Sequence, residues 1–225
     1  MTELTGHRAA AQSGTTRSLV ILLHGYGADG GDLFGLAQPL GKHLPDTVFL
    51  APNAPERCRI NPMGYQWFPI PWIDGSAEAE MEASFSRSIG LLDAYLTASM
   101  AAEGVAPEAV ALIGFSQGTM MSLHVAPRRA EGLAGVVGFS GRLVLAERLS
   151  EVKSRPPVLL VHGDGDEVIP PAALGEAEAA LTGAGFEVAT HISSGIGHGI
   201  GPDGLGLALG FLVDKLGKTG REASA

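Results

Sequence analysis

The stretch Val110–His124, VALIGFSQGTMMSLH, decides the reading of this chain. An apolar run, Val110–Ile113, leads into Gly114-Phe115-Ser116-Gln117-Gly118, and Thr119–His124 continues as a helix. This is Gly-x-Ser-x-Gly between a strand and a helix, the context in which the motif carries chemistry. So sharp a turn puts its central residue in a strained backbone conformation, and flanking glycines remove the Cβ atoms that would collide there. Ser116 then projects above the end of a sheet as a candidate nucleophile. The N–H of Gln117, at a helix N-terminus, is aimed where a negative oxygen would develop. A near copy, Gly138-Phe139-Ser140-Gly141, has Arg142 in place of the second spaced glycine, so Ser140 is rejected as a nucleophile.

A serine hydroxyl needs a base to take its proton, and that base needs a carboxylate to orient it. Where the serine sits on such an elbow, the chain order is Ser, then acid, then His. Downstream, the apolar run Val158–Val161 ends in His162-Gly163-Asp164-Gly165-Asp166-Glu167. Acids at the carboxyl end of a parallel strand face the site crevice. Asp164, Asp166 and Glu167 compete. Asp166 is preferred because it lies far enough past the strand to reach over its edge, whereas Asp164 suits a turn cap. Further on, Phe186–Ile192 is followed by Ser193-Ser194-Gly195-Ile196-Gly197-His198-Gly199. His198, between two glycines on a loop, is the candidate base. His7, His43 and His124 have no motif around them, His191 sits within its strand, and His24 and His162 lie at strand ends where they would shape a site.

Around these motifs the chain alternates strand and helix. Leu19–Leu23, Val48–Leu50, Val110–Ile113, Leu133–Phe139 and Val158–Val161 are short runs of the kind buried on both faces of a parallel sheet, and a sixth, Phe186–Ile192, alternates more. Helices are expected over about Ala77–Ala102, Pro170–Thr182 and Leu205–Leu216. In the first of these, Met81, Phe85, Ile89, Leu92 and Leu96 share one face, and Met81 and Phe85 read as core. The expected architecture is a single α/β domain over residues 1–225, with a mostly parallel central sheet and helices on both faces. Residues 1–17 and 218–225 are expected to fray. Ala51–Ile73 carries five prolines and both tryptophans without periodicity, which favours an ordered loop packed near a site.

The chain has 225 residues, 45% of them hydrophobic, enough for one large core. Its net charge of −9 argues against nucleic acid or an anionic membrane surface as partner. One cysteine, Cys58, rules out an intrachain disulfide. It lies between Arg57 and Arg59 and reads as an incidental loop thiol. The N-terminal MTELTGHRAAAQSGTT lacks the apolar stretch of a secretory signal and no apolar run is long enough to span a membrane, so a soluble cytoplasmic protein is expected. The acidic Asp164–Glu167 stretch lacks the spacing of a calcium loop, and no metal is expected.

Gly25, Gly27 and Gly30 follow the first strand as Gly-x-Gly-x-x-Gly, which raises a dinucleotide-binding alternative. That use requires an acid at the end of the next strand, and Val48–Leu50 is followed by Ala51-Pro52-Asn53. The other use of a His-Gly loop here is to supply the second oxyanion donor, the N–H of Tyr26.

The chain resembles the phospholipase/carboxylesterase family of α/β-hydrolases, which includes acyl-protein thioesterases and small bacterial carboxylesterases. The resemblance is carried by LHGYGADGGDL (Leu23–Leu33), APNAP (Ala51–Pro55), GFSQG (Gly114–Gly118), HGDGDEVIP (His162–Pro170) and GIGH (Gly195–His198), in the family's order. It implies a Ser116–Asp166–His198 triad and oxyanion N–H groups at Tyr26 and Gln117. It further implies no cofactor, a small acyl ester, thioester or lysophospholipid substrate, and a homodimer. Trp67, Phe68, Trp72 and Ile196 are expected at the substrate pocket. Two departures stand out: Thr119 where the family commonly has glycine, and Trp67-Phe68-Pro69 where it has Trp-Phe-Asp. The second bears on substrate preference. A non-catalytic binding protein on the same fold is the rival reading, and three complete triad groups argue against it. With a neutral histidine as base, activity is expected to fall as pH drops through about 6–7.

Overall fold

The computed structural model describes residues 4–217. In chain order its strands are β1 (Gly6–Ala9), β2 (Ser18–Leu23), β3 (Thr47–Pro52), β4 (Glu56–Arg57), β5 (Tyr65–Gln66), β6 (Val110–Phe115), β7 (Gly135–Phe139), β8 (Val158–Gly163) and β9 (Val188–Ser193). The helices are α1 (Gly30–Phe34), α2 (Ala37–Gly41), α3 (Pro71–Asp74), α4 (Glu78–Glu103), α5 (Gln117–Val125), α6 (Ala172–Gly183) and α7 (Pro202–Gly217). Seven strands form one sheet in the order β1-β3-β2-β6-β7-β8-β9, and β4 and β5 make a separate hairpin. Every neighbour in the large sheet is parallel except β1, which runs antiparallel to β3.

The apolar runs are continuous because both faces of the sheet are covered. Along β2, Leu19, Ile21 and Leu23 point to one layer, with Phe85, Leu92 and Leu96 of α4, Met120 of α5 and Leu181 of α6. Val20 and Leu22 point to the other, with Leu33 of α1, Leu40 of α2 and Leu212 of α7. Fully burying a leucine contributes about 2 kcal/mol, and Leu92, Leu96 and Leu112 are fully buried. On α4 the buried face also takes in Ser84, Ser88 and Ser99, while Met81 and Ile89 are half-buried. Gly104, in the left-handed region at φ 66°, ends that helix.

Several stretches differ from the sequence expectation, among them the N-terminal segment and the start of β7. Within 1–17, expected to fray, Gly6–Ala9 is an edge strand held by backbone pairing from Gly6↔Pro52 to Ala9↔Phe49. Backbone pairing needs no apolar alternation, so GHRA gave no signal. Strand β7 starts at Gly135, later than the apolar run that begins at Leu133. Residues 218–225 lie outside the described part.

From β2 the chain passes outward to β3, then returns to the other side of β2 as β6. Where the order reverses, loops leaving adjacent carboxyl ends diverge and open a crevice, the usual ligand position in such sheets. The loops at that point are Leu23–Gly30 and Phe115–Gly118.

Candidate active site

Ser116 stands at the β6–α5 junction with φ 52° and ψ −113°, a conformation L side chains rarely adopt. A Cβ at Gly114 would collide with the backbone of Gly118 and Thr119, and one at Gly118 with the Leu23 carbonyl. The two glycines therefore permit both the tight turn and its close approach to β2. The Ser116 side chain lies at the wall of a cavity, 8% exposed. Thr119 fills the space behind the turn. Its Oγ1 lies 2.9 Å from both the Gly114 and Phe139 carbonyls.

Asp166 is buried at the end of β8 and His198 reaches it from the loop after β9. His198 Nδ1 is 2.8 Å from Asp166 Oδ2. Oδ1 accepts the N–H groups of Val168 and Ile169, both at 2.9 Å. Burial alone would push this carboxyl up, but the bonds from His198, Ile169 and Val168 outweigh it and hold Asp166 below the usual carboxylate range. His162 completes the set. Its Nε2 is 3.2 Å from Asp166 Oδ2 and 2.9 Å from the Ile169 carbonyl, so that nitrogen carries the proton. Asp164 is exposed and holds the loop instead, accepting Ser194 Oγ at 3.1 Å and the Gly195 N–H at 2.7 Å. Glu167 points to solvent. A Cβ at Gly163 would collide with the Ile196 carbonyl, so the β8 end and the histidine loop meet backbone to backbone.

The loop after β2 is fixed from several sides. His24 Nε2 accepts the Ala54 N–H at 2.9 Å, which leaves Nδ1 to donate to the Gly25 carbonyl at 2.7 Å. Burial pushes this imidazole down, so it is neutral. Gly27 and Tyr65 are joined by a backbone bond of 2.8 Å, and Asn61 Nδ2 donates to the Gly27 carbonyl. Tyr26 Oη donates to Asp74 Oδ2 at 2.8 Å, and Asp74 also accepts the Ile70 and Ser76 N–H groups. The glycine pattern is structural. A Cβ at Gly30 would strike the Ala51 carbonyl, and the Gly30 N–H, first of α1, is taken by Asn53 Oδ1 at 2.8 Å. That N–H is therefore not free for a pyrophosphate, which counts against the dinucleotide reading. The backbone N–H groups of Tyr26 and Gln117 bond to no other backbone group among the described residues.

Ser116, Gln117, Tyr26 and His198 all line one cavity of about 410 Å³. Phe68 and Trp72 line it as well, with Phe85 and Met81 of α4 and Met120 of α5. Trp67 and Ile196, expected there, do not. Trp67 is fully buried behind the loop, its Nε1 donating to the His24 carbonyl at 3.0 Å and its N–H to Gln117 Oε1 at 2.8 Å. Gln117 Nε2 in turn donates to the Phe68 carbonyl at 2.7 Å, so the side chain after the serine clamps the loop that forms one wall. Ile196 contributes backbone: its carbonyl accepts the Gly165 N–H at 2.9 Å. Sequence reasoning missed His162 as a support of Asp166, Asp74 as the anchor of Tyr26, and Arg142 in the cavity wall. HGD and SGR mark strand ends, but nothing local says which partner each side chain meets. Cys58 is buried. Among the described residues no cluster of three His, Cys, Asp or Glu side chains is placed to hold a metal ion, and no helix is long and apolar enough to cross a membrane.

Comparison with known proteins agrees with this geometry at the level of the family. The Phospholipase/Carboxylesterase family model matches residues 5–215. Acyl-protein thioesterase 1 of Gibberella zeae is 28% identical over 222 residues, covering 92% of this chain and 93% of its own length. Esterase YpfH of Escherichia coli (strain K12) is 31% identical over 199 residues, covering 87% of this chain and 82% of its own. The crystal structure of esterase PE8 superposes with a TM-score of 0.90 at 42% identity, covering 96% of this chain and all of that one. With its mostly parallel seven-stranded sheet and flanking helices, the chain has the α/β-hydrolase fold and belongs to the phospholipase/carboxylesterase family of hydrolases.

Proposed function

We propose that this chain is a single-domain serine carboxylic ester hydrolase that works through an acyl-enzyme on Ser116. The observation that carries the reading is the His198–Asp166 bond of 2.8 Å, with His198 and Ser116 on the wall of the same cavity. Neutral His198 takes the Ser116 proton as the serine attacks the acyl carbonyl. The developing oxyanion is met by the N–H groups of Gln117 and Tyr26, each worth roughly 3–4 kcal/mol to the transition state. His198 then gives its proton to the departing alcohol or thiol. In the second half it takes a proton from water, which attacks the acyl carbonyl, and passes that proton to Ser116 Oγ as the carboxylic acid leaves. Asp166 fixes the ring with Nδ1 protonated and steadies the imidazolium, and its lowered pKa keeps it charged throughout. The mainly apolar wall favours an acyl chain over a polar substituent, and the same chemistry serves esters and thioesters.

Turnover of a p-nitrophenyl acyl ester tests this. Wild type is expected to hydrolyse it, and Ser116→Ala and His198→Ala to lose at least about 10⁴-fold in kcat. Full turnover by S116A would assign another nucleophile, and no turnover of any ester by wild type would make the fold a binding protein.

A further inference from the structure

Arg142 is the one strongly charged side chain on the cavity wall, and no Asp or Glu lines that cavity. The other arginines of the described chain all have partners. Seven pair with carboxylates. Arg57 lies over the Tyr65 ring, and Arg155 donates to the Ala184 carbonyl. Arg142 has no hydrogen bond or ion pair among the described residues, in a chain whose 24 acidic residues outnumber its 15 basic ones. Arg142 is exposed beside an apolar wall that includes Leu143 and Val144, with its forked donors unused.

Its backbone is fixed close to the nucleophile turn. Ser140, two residues earlier, is held at φ 45°, with its N–H on the Val161 carbonyl at 2.9 Å and its Oγ on the Gly199 carbonyl at 3.2 Å. Gly141 packs so closely that a Cβ there would clash with Thr119 and stand 3.0 Å from the Ser116 carbonyl. Backbone strain held at such a place calls for a role.

We propose that Arg142 is an anion-recognition residue, and that the preferred substrates are esters or thioesters carrying a carboxylate or phosphate beyond the reacting carbonyl. A guanidinium offers such groups two parallel bonds, and an apolar surround strengthens them. The proposal rests on the esterase reading and narrows its substrate class.

The test compares kcat/KM for matched pairs: the methyl half-ester of a dicarboxylic acid against a neutral methyl ester of equal length, and a phosphate-bearing alcohol ester against its uncharged counterpart. The first pair places the anion on the acyl side and the second on the leaving group. Wild type is expected to favour the anionic member of at least one pair by roughly tenfold. Arg142→Gln is expected to cancel that ratio through KM, and Arg142→Lys to keep part of it. An unchanged ratio in R142Q, or a wild-type preference for the neutral member of both pairs, overturns the proposal. Calorimetry of the half-ester and the phosphate ester with S116A and S116A/R142Q reads the same contact without turnover. At least one ligand is expected to bind roughly tenfold more weakly to the double variant, and equal affinities for both overturn the proposal. Neutral-ester hydrolysis, tested separately, reports on the esterase reading itself.

Discussion

The turns Gly114–Gly118 after β6 and Gly138–Arg142 after β7 begin with the same three residues, Gly-Phe-Ser. They lie side by side, with Gly114 paired to Gly138 and Phe115 to Phe139. Both serines have positive φ, 52° and 45°. Beyond the serine the two turns diverge. After Ser116, Gly118 tucks under the Leu23 carbonyl and α5 begins, leaving the hydroxyl at the cavity wall. After Ser140 no helix forms, the residue is 1% exposed, and its hydroxyl is bound to the Gly199 carbonyl. Nearly identical local sequence and strain thus serve two ends. On the proposed reading one turn presents the nucleophile, while the other ties down the loop that carries His198 and sets Arg142 in the cavity wall. The difference lies in the neighbours, above all in whether a helix can start one residue later.

The sharpest way to break this division of labour is through the loop both turns depend on. Asp166→Asn is expected to cost about 10⁴-fold in kcat, because the amide holds the wrong imidazole tautomer. Asp164→Asn removes only loop anchors and is expected to cost about tenfold or less. A larger loss in D164N than in D166N reverses the assignment of the acid.

The helix that distinguishes the first turn is expected to make the fold sensitive to acid. His124 of α5 is buried, its ring 4.7 Å from that of Phe85. Burial first, then Arg128 and Arg148, pushes it down to about 3. Unfolded, it titrates near 6.5, so the unfolded chain binds the proton first and stability falls as pH drops from about 6.5 towards 3. The slope is up to about 1.4 kcal/mol per pH unit. Asp166, whose carboxyl is lowered, adds its own loss only below the unfolded carboxylate range, near 4. Denaturant titrations across pH 7 to 4 should show the slope in wild type and a flatter profile in His124→Phe. Equal slopes in both would mean that His124 is not the source of the acid sensitivity.

The smallest effect concerns how the turns lean on each other. A Cβ at Gly138 would stand 2.5 Å from Thr119 Cγ2 and 3.0 Å from Leu160 Cδ2. Gly138→Ala should therefore destabilise the protein less when Thr119 is already alanine. A double-mutant cycle is expected to give a coupling of about 1 kcal/mol. Additive effects would mean the turns are independent.

Much of the candidate site was legible because each proposed part follows a strand with its own local chemistry. The elbow needs its glycines, the acid comes after a buried run, and the histidine sits between glycines. The illegible parts depend on contacts between distant segments. Trp67 and Trp72 share one loop and gave equal signals, yet Trp67 is fully buried under His24 and Gln117 while Trp72 is 70% exposed at the cavity. Met81 and Phe85 read as core from their helical spacing and serve also as cavity wall. Strand β1 was missed because its pairing is carried by backbone. Arg142 entered only as the residue that spoils a motif, since an absent partner is visible only in three dimensions.

The most direct test of the contrast between the two serines is covalent labelling with a fluorophosphonate, mapped by peptide mass spectrometry. One adduct per chain is expected on Ser116 in wild type and in Ser140→Ala, and none in Ser116→Ala. An adduct on Ser140, or an unlabelled wild type, would contradict the assignment of Ser116 as the nucleophile.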